Sequence, residues 1–219
     1  MSNRDDYENM YRDFRDGKID ILIGTQMLAK GLDFPNVTTV GVLSADSIIN
    51  LPFYNAGEKA YQLLTQVSGR AGRGKKQGYV FIQTYEPENF IINTAKDNDF
   101  VGFIKEEGKL RKEFFYPPYI TIINVCAISR NEAEVKAFAN EKYMELNSKI
   151  QDKFKGNNVL LYRPTPHSIY KVNNEFRINL FMKASVKQAS ELKDIIREVY
   201  LEKDVKNIKI SINIDTENV

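Results

Sequence analysis

Apolar residues recur along this chain with two periods, and the switches between them lay out its elements. From Arg4 to Asp16, the residues Tyr7, Met10, Tyr11 and Phe14 follow the i, i+3, i+4, i+7 spacing of a helix with one apolar face, and Gly17 ends it. The largely apolar run Ile19-Asp20-Ile21-Leu22-Ile23 predicts a buried strand, and Val37 to Leu43 predicts a second, closed by Ser44-Ala45-Asp46. Residues 47–53 read as irregular, because Pro52 breaks any helix there. Asn55 then stands as the N-cap of a helix that turns Ala60, Tyr61, Leu64 and Val67 inward. Gly78 leads into a further strand, Tyr79 to Gln83. Three strands alternating with helices fit part of a parallel, doubly wound α/β sheet.

Between Pro87 and Phe115 the pattern is helical again, with Phe90, Ile91, Phe100, Phe103, Ile104, Leu110 and Phe114 set among charges. Tyr116-Pro117-Pro118-Tyr119 stops it, since consecutive prolines remove donors and hold the backbone extended. The expected division is therefore 1–98 for the parallel-sheet part, 99–116 for a helical linker and 117–219 for a second domain. In that domain Ile120 to Ser129 reads as a strand. Glu132 to Phe154 reads as a long helix with Val135, Phe138, Ala139, Tyr143, Leu146 and Ile150 on one face. Strands are expected at Val159 to Tyr162, at Ser168 to Val172 and, after the turn Asn173-Asn174, at Phe176 to Met182. A helix from Val186 to Leu201 and a strand from Ile208 to Ile214 follow. The order β-α-β-β-α-β, with Ser168 to Val172 as a hairpin arm, predicts a small α+β domain of the split βαβ kind.

Composition narrows the partners. The 219 residues are 42% hydrophobic and 27% charged, enough to bury a core under a wet exterior. Thirty-one basic against 29 acidic residues leave a net charge of +2, so any nucleic-acid binding must come from local clustering rather than overall charge. The one cysteine, Cys126, excludes an internal disulfide and a cysteine-rich metal site, and its place in a strand predicts a buried thiol. The charged start, Met1 to Asp6, lacks the apolar core of a secretion signal. No apolar run approaches the roughly 18 residues of a membrane span. A cytoplasmic chain without a membrane partner is expected.

Two stretches carry candidate chemistry. Gln66-Val67-Ser68-Gly69-Arg70-Ala71-Gly72-Arg73-Gly74 sets two arginines one helical turn apart with small residues between them. Guanidinium is planar, permanently charged and able to donate two parallel hydrogen bonds to phosphate oxygens, which suits it to steadying charge in phosphoryl transfer. The same residues also fit a plain Gly/Arg/Lys surface loop, since Gly74 to Gly78 follow at once, or a structural ion pair with Asp46 or Glu58. Upstream, Gly24-Thr25-Gln26-Met27-Leu28-Ala29-Lys30-Gly31-Leu32-Asp33-Phe34-Pro35 follows the first expected strand. The carboxyl end of such a strand is the usual place for ligand-contacting loops in an open α/β sheet. No phosphate loop of the Gly-x-x-x-x-Gly-Lys-Ser/Thr kind occurs, so a first ATPase lobe is expected elsewhere in a larger polypeptide.

Together the two stretches resemble motifs V and VI of superfamily 2 helicases. Their wording is similar to that of the primosomal replication-restart DNA helicases, the PriA or primosomal protein N-prime family. The likeness covers almost the whole chain, continuing through the Gly78 to Thr84 strand and the Pro117-Pro118 junction. Where that family has Asp-Phe-Arg before the motif VI helix, this chain has Leu51-Pro52-Phe53-Tyr54-Asn55, and its later turn reads Arg163-Pro164-Thr165-Pro166. The resemblance implies a partial RecA-like lobe followed by a C-terminal domain resembling ribosomal protein S10. It implies that Arg70 and Arg73 reach the γ-phosphate of ATP, with its Mg2+, on the missing lobe while Gln66 orients water or phosphate. Thr25, Gln26 and Lys30 would line a single-strand track, and Gly31 and Asp33 would couple that track to the nucleotide. Zinc is implied only in the upstream part. A motor of 3′-to-5′ polarity acting on forked or single-stranded DNA is implied, with other primosome proteins and single-strand binding protein as partners.

Tyr162, Arg163, His167, Tyr170, Lys171 and Arg177 interleave aromatic and basic groups, the combination that stacks bases and neutralises backbone. Of these, Arg163, Tyr170, Lys171 and Arg177 are the candidate DNA contacts, although a hairpin with one side in the core has the same composition. His167 is the only histidine and has no visible metal or catalytic partner. Two classes of function stand: part of a DNA-unwinding ATPase, which alone would hydrolyse nothing, or a non-catalytic nucleic-acid or protein-docking module with a RecA-like shell.

Overall fold

The computed structural model describes residues 4–26, 37–69, 77–155, 159–201 and 207–215. The chain divides between Glu107 and Gly108 into two compact units.

In the first unit, α1 (Arg4–Arg15) forms where the apolar period predicts it, and Gly17 leaves it at φ 75°, a conformation open to a residue without Cβ. β1 (Thr39–Val42) and β2 (Tyr79–Ile82) pair in parallel, Thr39 opposite Tyr79 and Val42 opposite Ile82. Between them run α2 (Asp46–Ile49) and α3 (Ala56–Ser68), and after them α4 (Phe90–Lys96) and α5 (Phe100–Glu113), whose residues from Gly108 onward belong to the second unit. The core gathers Ala45, Ala60, Tyr61, Leu64, Ile91, Ile92, Ala95 and Phe103, with Val42 and Ile82 of the sheet packed against it. The Tyr61 and Phe103 rings stack at 4.2 Å, joining α3 to α5. Burying such aromatics contributes on the order of 2–3 kcal/mol each from area alone.

Three expectations change here. The run Ile19 to Ile23 is not a strand: it is irregular, with Ile21 76% and Ile23 81% exposed. A continuous apolar run becomes a strand only where neighbours supply ladder hydrogen bonds and cover its faces. Among the described residues the parallel sheet ends at its two strands. Residues 47–53 are not wholly irregular either, because Ile48 and Ile49 pack on the core as part of a short helical turn that stops before Pro52. On α5 the periodic residues Phe100, Ile104 and Leu110 stay at least 41% exposed, and only Phe103 and Glu107 are buried.

The second unit holds β3 (Ile120–Ser129), α6 (Glu132–Phe154), β4 (Val159–Leu161), β5 (Thr165–Val172), β6 (Glu175–Ser185), α7 (Ala189–Leu201) and β7 (Lys209–Ile214). The strand order β4-β6-β3-β7, antiparallel throughout, with β5 also paired to β6, is the split βαβ arrangement with an added arm. Asn131 caps α6 by accepting from the Glu134 N–H at 3.2 Å. Asn173 and Asn174, at φ 49° and 60°, form the two-residue turn between β5 and β6 that right-handed strand twist favours. Helix α7 begins three residues later than the apolar pattern predicts, leaving Val186 exposed.

Strand alternation assigns the two faces of this sheet. Ile123, Val125 and Ala127 of β3 and Ile178, Leu180, Met182 and Ala184 of β6 point toward α6 and α7 and form one core with Leu146, Ile150, Leu192, Ile196 and Val199. The opposite face carries Asn124, Cys126 and Ile128 of β3, with Arg177 and Asn179 of β6 and Ser211 and Asn213 of β7 as their ladder neighbours. Among the described residues, the core contacts of α6 and α7 are made on the first face.

Candidate nucleic-acid interface

The motif residues of the first unit divide between described and undescribed positions. Lys30, Gly31, Asp33, Arg70 and Arg73 lie outside the described residues. Thr25 and Gln26 are exposed at the end of the irregular segment that follows Ile23. Gln66 sits half-buried on the last turn of α3, whose buried stripe is Ala56, Ala60, Tyr61, Leu64 and Val67. That stripe follows from the helical period, and it fixes the helix whose end at Ser68 comes two residues before Arg70 in the sequence. Asp46, weighed above as an ion-pair partner for the arginines, accepts from Thr84 Oγ1 at 2.9 Å and from the Tyr85 N–H at 3.2 Å. Its carboxylate ties the start of α2 to the residues leaving β2.

In the second unit the sheet face opposite α6 and α7 carries a concavity of about 340 Å³. Asn124, Cys126 and Ile128 form its floor, with His167, Arg177, Ser211 and Asn213 around them. Register explains the grouping. Asn124 lies directly opposite Asn213 and Cys126 opposite Ser211, while Arg177 lies opposite Ile128. His167 arrives because β5 breaks step with β6: Pro166 pairs with Ile178 but Lys171 with Phe176, so the residues between them bulge. The two ends of the concavity differ in chemistry. One end holds amides and a hydroxyl, Asn213 Nδ2 donating to Ser211 Oγ at 3.2 Å. The other holds a guanidinium and an imidazole.

Several polar atoms on this face are buried without a hydrogen-bond partner. Asn124 is only 4% exposed and its Oδ1 accepts nothing, while Arg177 Nε donates to nothing and Asn179 Oδ1 is likewise unsatisfied. Each such atom costs about 1–3 kcal/mol unless something supplies the missing bond. His167 Nδ1 accepts from the Ile169 N–H at 2.9 Å, which leaves the proton of the neutral ring on Nε2. Burial, with the Arg177 guanidinium adding to it, holds the His167 imidazole below its ordinary pKa and so keeps it neutral. Burial also raises the Cys126 thiol, against a smaller opposing effect of Arg177, so this sulfur stays protonated and inert.

The other candidate DNA contacts are spread out. Arg163 is exposed on the segment between β4 and β5. Tyr170 is half-buried: its hydroxyl donates to Glu132 Oε1 at 2.9 Å and its ring meets Phe176 edge-on at 5.5 Å. Lys171 places its ammonium 4.6 Å from the centre of the Phe176 ring. Of the aromatic and basic residues singled out in the sequence, only His167 and Arg177 come together in the concavity. The amide end was missed, and its signal was polar residues interrupting apolar strands at alternate positions: Asn124, then Ser211 and Asn213.

Residues 2–75 match the model of the helicase conserved C-terminal domain, and residues 112–217 that of the primosomal protein N C-terminal domain. The replication restart protein PriA of Bacillus subtilis (strain 168) is 37% identical over 219 residues, covering 98% of this chain and 26% of that protein. The protein of the same name from Synechocystis sp. is 38% identical over 203 residues, covering 90% of this chain and 24% of that protein. That of Chlamydia trachomatis serovar D is 48% identical over 120 residues, 55% of this chain and 16% of that protein. The chain thus spans about a quarter of the length of the first two.

Proposed function

Because the chain belongs to the PriA family of replication restart proteins and corresponds to its C-terminal portion, we propose that it is part of an ATP-dependent DNA helicase acting in replication restart and primosome assembly. The observation that carries this reading is the succession, in one chain, of a helicase C-terminal domain and a primosomal protein N C-terminal domain. In the working protein Arg70 and Arg73 contact the γ-phosphate of ATP bound with Mg2+ on another lobe, and Gln66 orients the attacking water. The two guanidinium groups neutralise charge on the phosphoryl oxygens as the bond to the leaving group lengthens. Closure of the cleft brings them into place and hydrolysis releases them. Thr25, Gln26 and Lys30 hold the phosphates of the translocating strand, with Gly31 and Asp33 linking that track to the nucleotide. Arg163, Tyr170, Lys171 and Arg177 add contacts from the second unit. Translocation is 3′ to 5′ in the cytoplasm, on forked or single-stranded DNA, alongside other primosome proteins and single-strand binding protein.

The structure supports this reading at one link. Helix α3, which leads in sequence to the arginines, is anchored along its whole buried stripe and by the Tyr61–Phe103 stack. A side chain that must meet a transition state needs such a rigid support. The test is Arg73→Ala in the full-length protein, read as DNA-stimulated ATP hydrolysis. Loss of a phosphate-contacting arginine of this kind lowers the rate by about 10³–10⁵. An unchanged rate, with DNA binding intact, would leave the docking-module reading in its place.

A further inference from the structure

The concavity on the face of the antiparallel sheet opposite α6 and α7 has no role in the ATP-driven steps above. Its two ends are spaced and equipped for different halves of one ligand. Asn124 and Arg177 are separated on the ladder by the four-residue step from Asn124 to Ile128 plus one strand crossing. At a rise of about 3.4 Å per residue and a strand spacing of about 4.8 Å this is roughly 14–15 Å between Cα positions before the side chains close on it. Inorganic phosphate would fill the guanidinium end alone and leave the Asn124 carbonyl unsatisfied. A free base would fill the amide end alone. A nucleotide carries a phosphate at one end and a base edge at the other, so with the two side chains reaching inward it can engage both.

The chemistry at each end agrees. An asparagine amide presents a donor and an acceptor side by side, the arrangement that pairs with a nucleobase edge. Asn124 Oδ1 needs a donor, and Asn213 stands across the ladder from it. Arg177 suits phosphate, and among the described residues no carboxylate lines the concavity. Lys209, on the same sheet, is already paired with Glu175 at 2.7 Å, so the guanidinium is the cation that addresses the concavity itself. Ile128 and Cys126 give the floor between the two ends an apolar surface for the sugar. The volume, about 340 Å³, lies at the small end of ligand pockets, which run about 300–1,000 Å³, and is enough for one nucleotide.

We propose that this face holds one unpaired nucleotide of single-stranded DNA, its base edge on the Asn124–Asn213 amides and its phosphate on Arg177. The proposal deepens the DNA-dependent function given above and rests on it for the choice of DNA. The site is a specific pocket for one base within a contact that is otherwise made to the backbone, so it adds a base-dependent increment to binding.

Two measurements on the 219-residue chain test it. In the first, fluorescence anisotropy compares a short labelled oligonucleotide with an abasic oligonucleotide of the same length and charge. The base-bearing strand is expected to bind about tenfold tighter, the worth of one buried hydrogen bond. Asn124→Leu, which keeps the side-chain size and removes the amide, is expected to abolish that difference while leaving the abasic affinity unchanged. In the second, NMR on the wild-type chain follows the Asn124 side-chain amide and the Arg177 Nε–H during titration. Deoxyadenosine monophosphate should shift both signals, deoxyribose 5-phosphate only that of Arg177, and deoxyadenosine only that of Asn124. The second measurement stands even if the variant fails to fold. Equal affinity for the two oligonucleotides, or equal shifts of both signals with deoxyribose 5-phosphate, overturns the nucleotide site. Either result leaves the Arg73→Ala outcome untouched, so the two readings fail separately.

Discussion

Lys142 offers a direct test of how the second unit is held together. It sits on the core side of α6, its side chain only 3% exposed, with Nζ 2.7 Å from Glu145 Oε2, whose side chain is 31% exposed. The ammonium also lies 5.8 Å from the centre of the Phe138 ring. Two effects compete at such a position. Burial removes the ammonium from water, while the carboxylate and the packed aliphatic stem compensate. Three changes separate them. Lys142→Ala deletes three buried methylenes, worth about 0.8 kcal/mol each, and removes the ammonium from a carboxylate that water can still reach, for a total of about 3 kcal/mol. Lys142→Met keeps the stem and removes both the charge and its desolvation cost, so its effect should fall within about 1 kcal/mol of zero. Glu145→Ala leaves the ammonium buried without this partner and should cost about 3–5 kcal/mol.

Hydrogen exchange of the β3 and β6 amides, followed by mass spectrometry across a urea series, reads the stability of this unit without interference from the first. The expected order of destabilisation is Glu145→Ala at least as large as Lys142→Ala, with Lys142→Met far below both. If Lys142→Met costs as much as Lys142→Ala, the ion pair itself stabilises the unit and the packing argument is wrong. If Glu145→Ala is neutral, the buried ammonium does not depend on Glu145.

Protonation of His167 should destabilise the fold in acid. Its pKa is lowered in the folded chain, so as the pH falls below the ordinary value of 6.5 the unfolded chain takes up the proton first and stability is lost. Thermal unfolding should therefore show a steeper fall in Tm on acidification for the wild type than for His167→Gln, and parallel profiles would refute the assignment. At the β5–β6 turn, Asn174 has φ 60°. Asn174→Val should cost about 1–2 kcal/mol, because a branched side chain is strained in the left-handed region, whereas Asn174→Gly should be neutral or stabilising by a few tenths. Equal melting temperatures for the two variants would show that the hairpin has moved to another turn.

Sequence reading worked best where an element's own period decided its fate. The bounds expected for β3 and α6, Ile120 to Ser129 and Glu132 to Phe154, coincide with those observed, because a ten-residue, mostly apolar strand and a 23-residue helical stripe each outweigh end effects. Ile19 to Ile23 has as apolar a pattern, yet only partners make a strand, and the pattern carries no information about partners. The concavity makes the same point from the other side. Asn124 looks like an imperfection in an apolar strand until β7 is laid beside β3 in register and brings Asn213 opposite it. Neither amide is informative alone, since a single asparagine in a strand fits an edge or a bulge equally well. Their meaning comes from a ladder that joins distant parts of the sequence, and from a bulge in β5 that swings His167 toward Arg177. Local periodicity sets which residues face the helices. The sites left on the opposite face are set by register, and register is fixed by burying Ile123, Val125, Leu180 and Met182 on the correct side, because a one-residue slip would exchange the two faces. The apolar core that α6 and α7 cover therefore also determines which polar groups meet on the other side of the sheet.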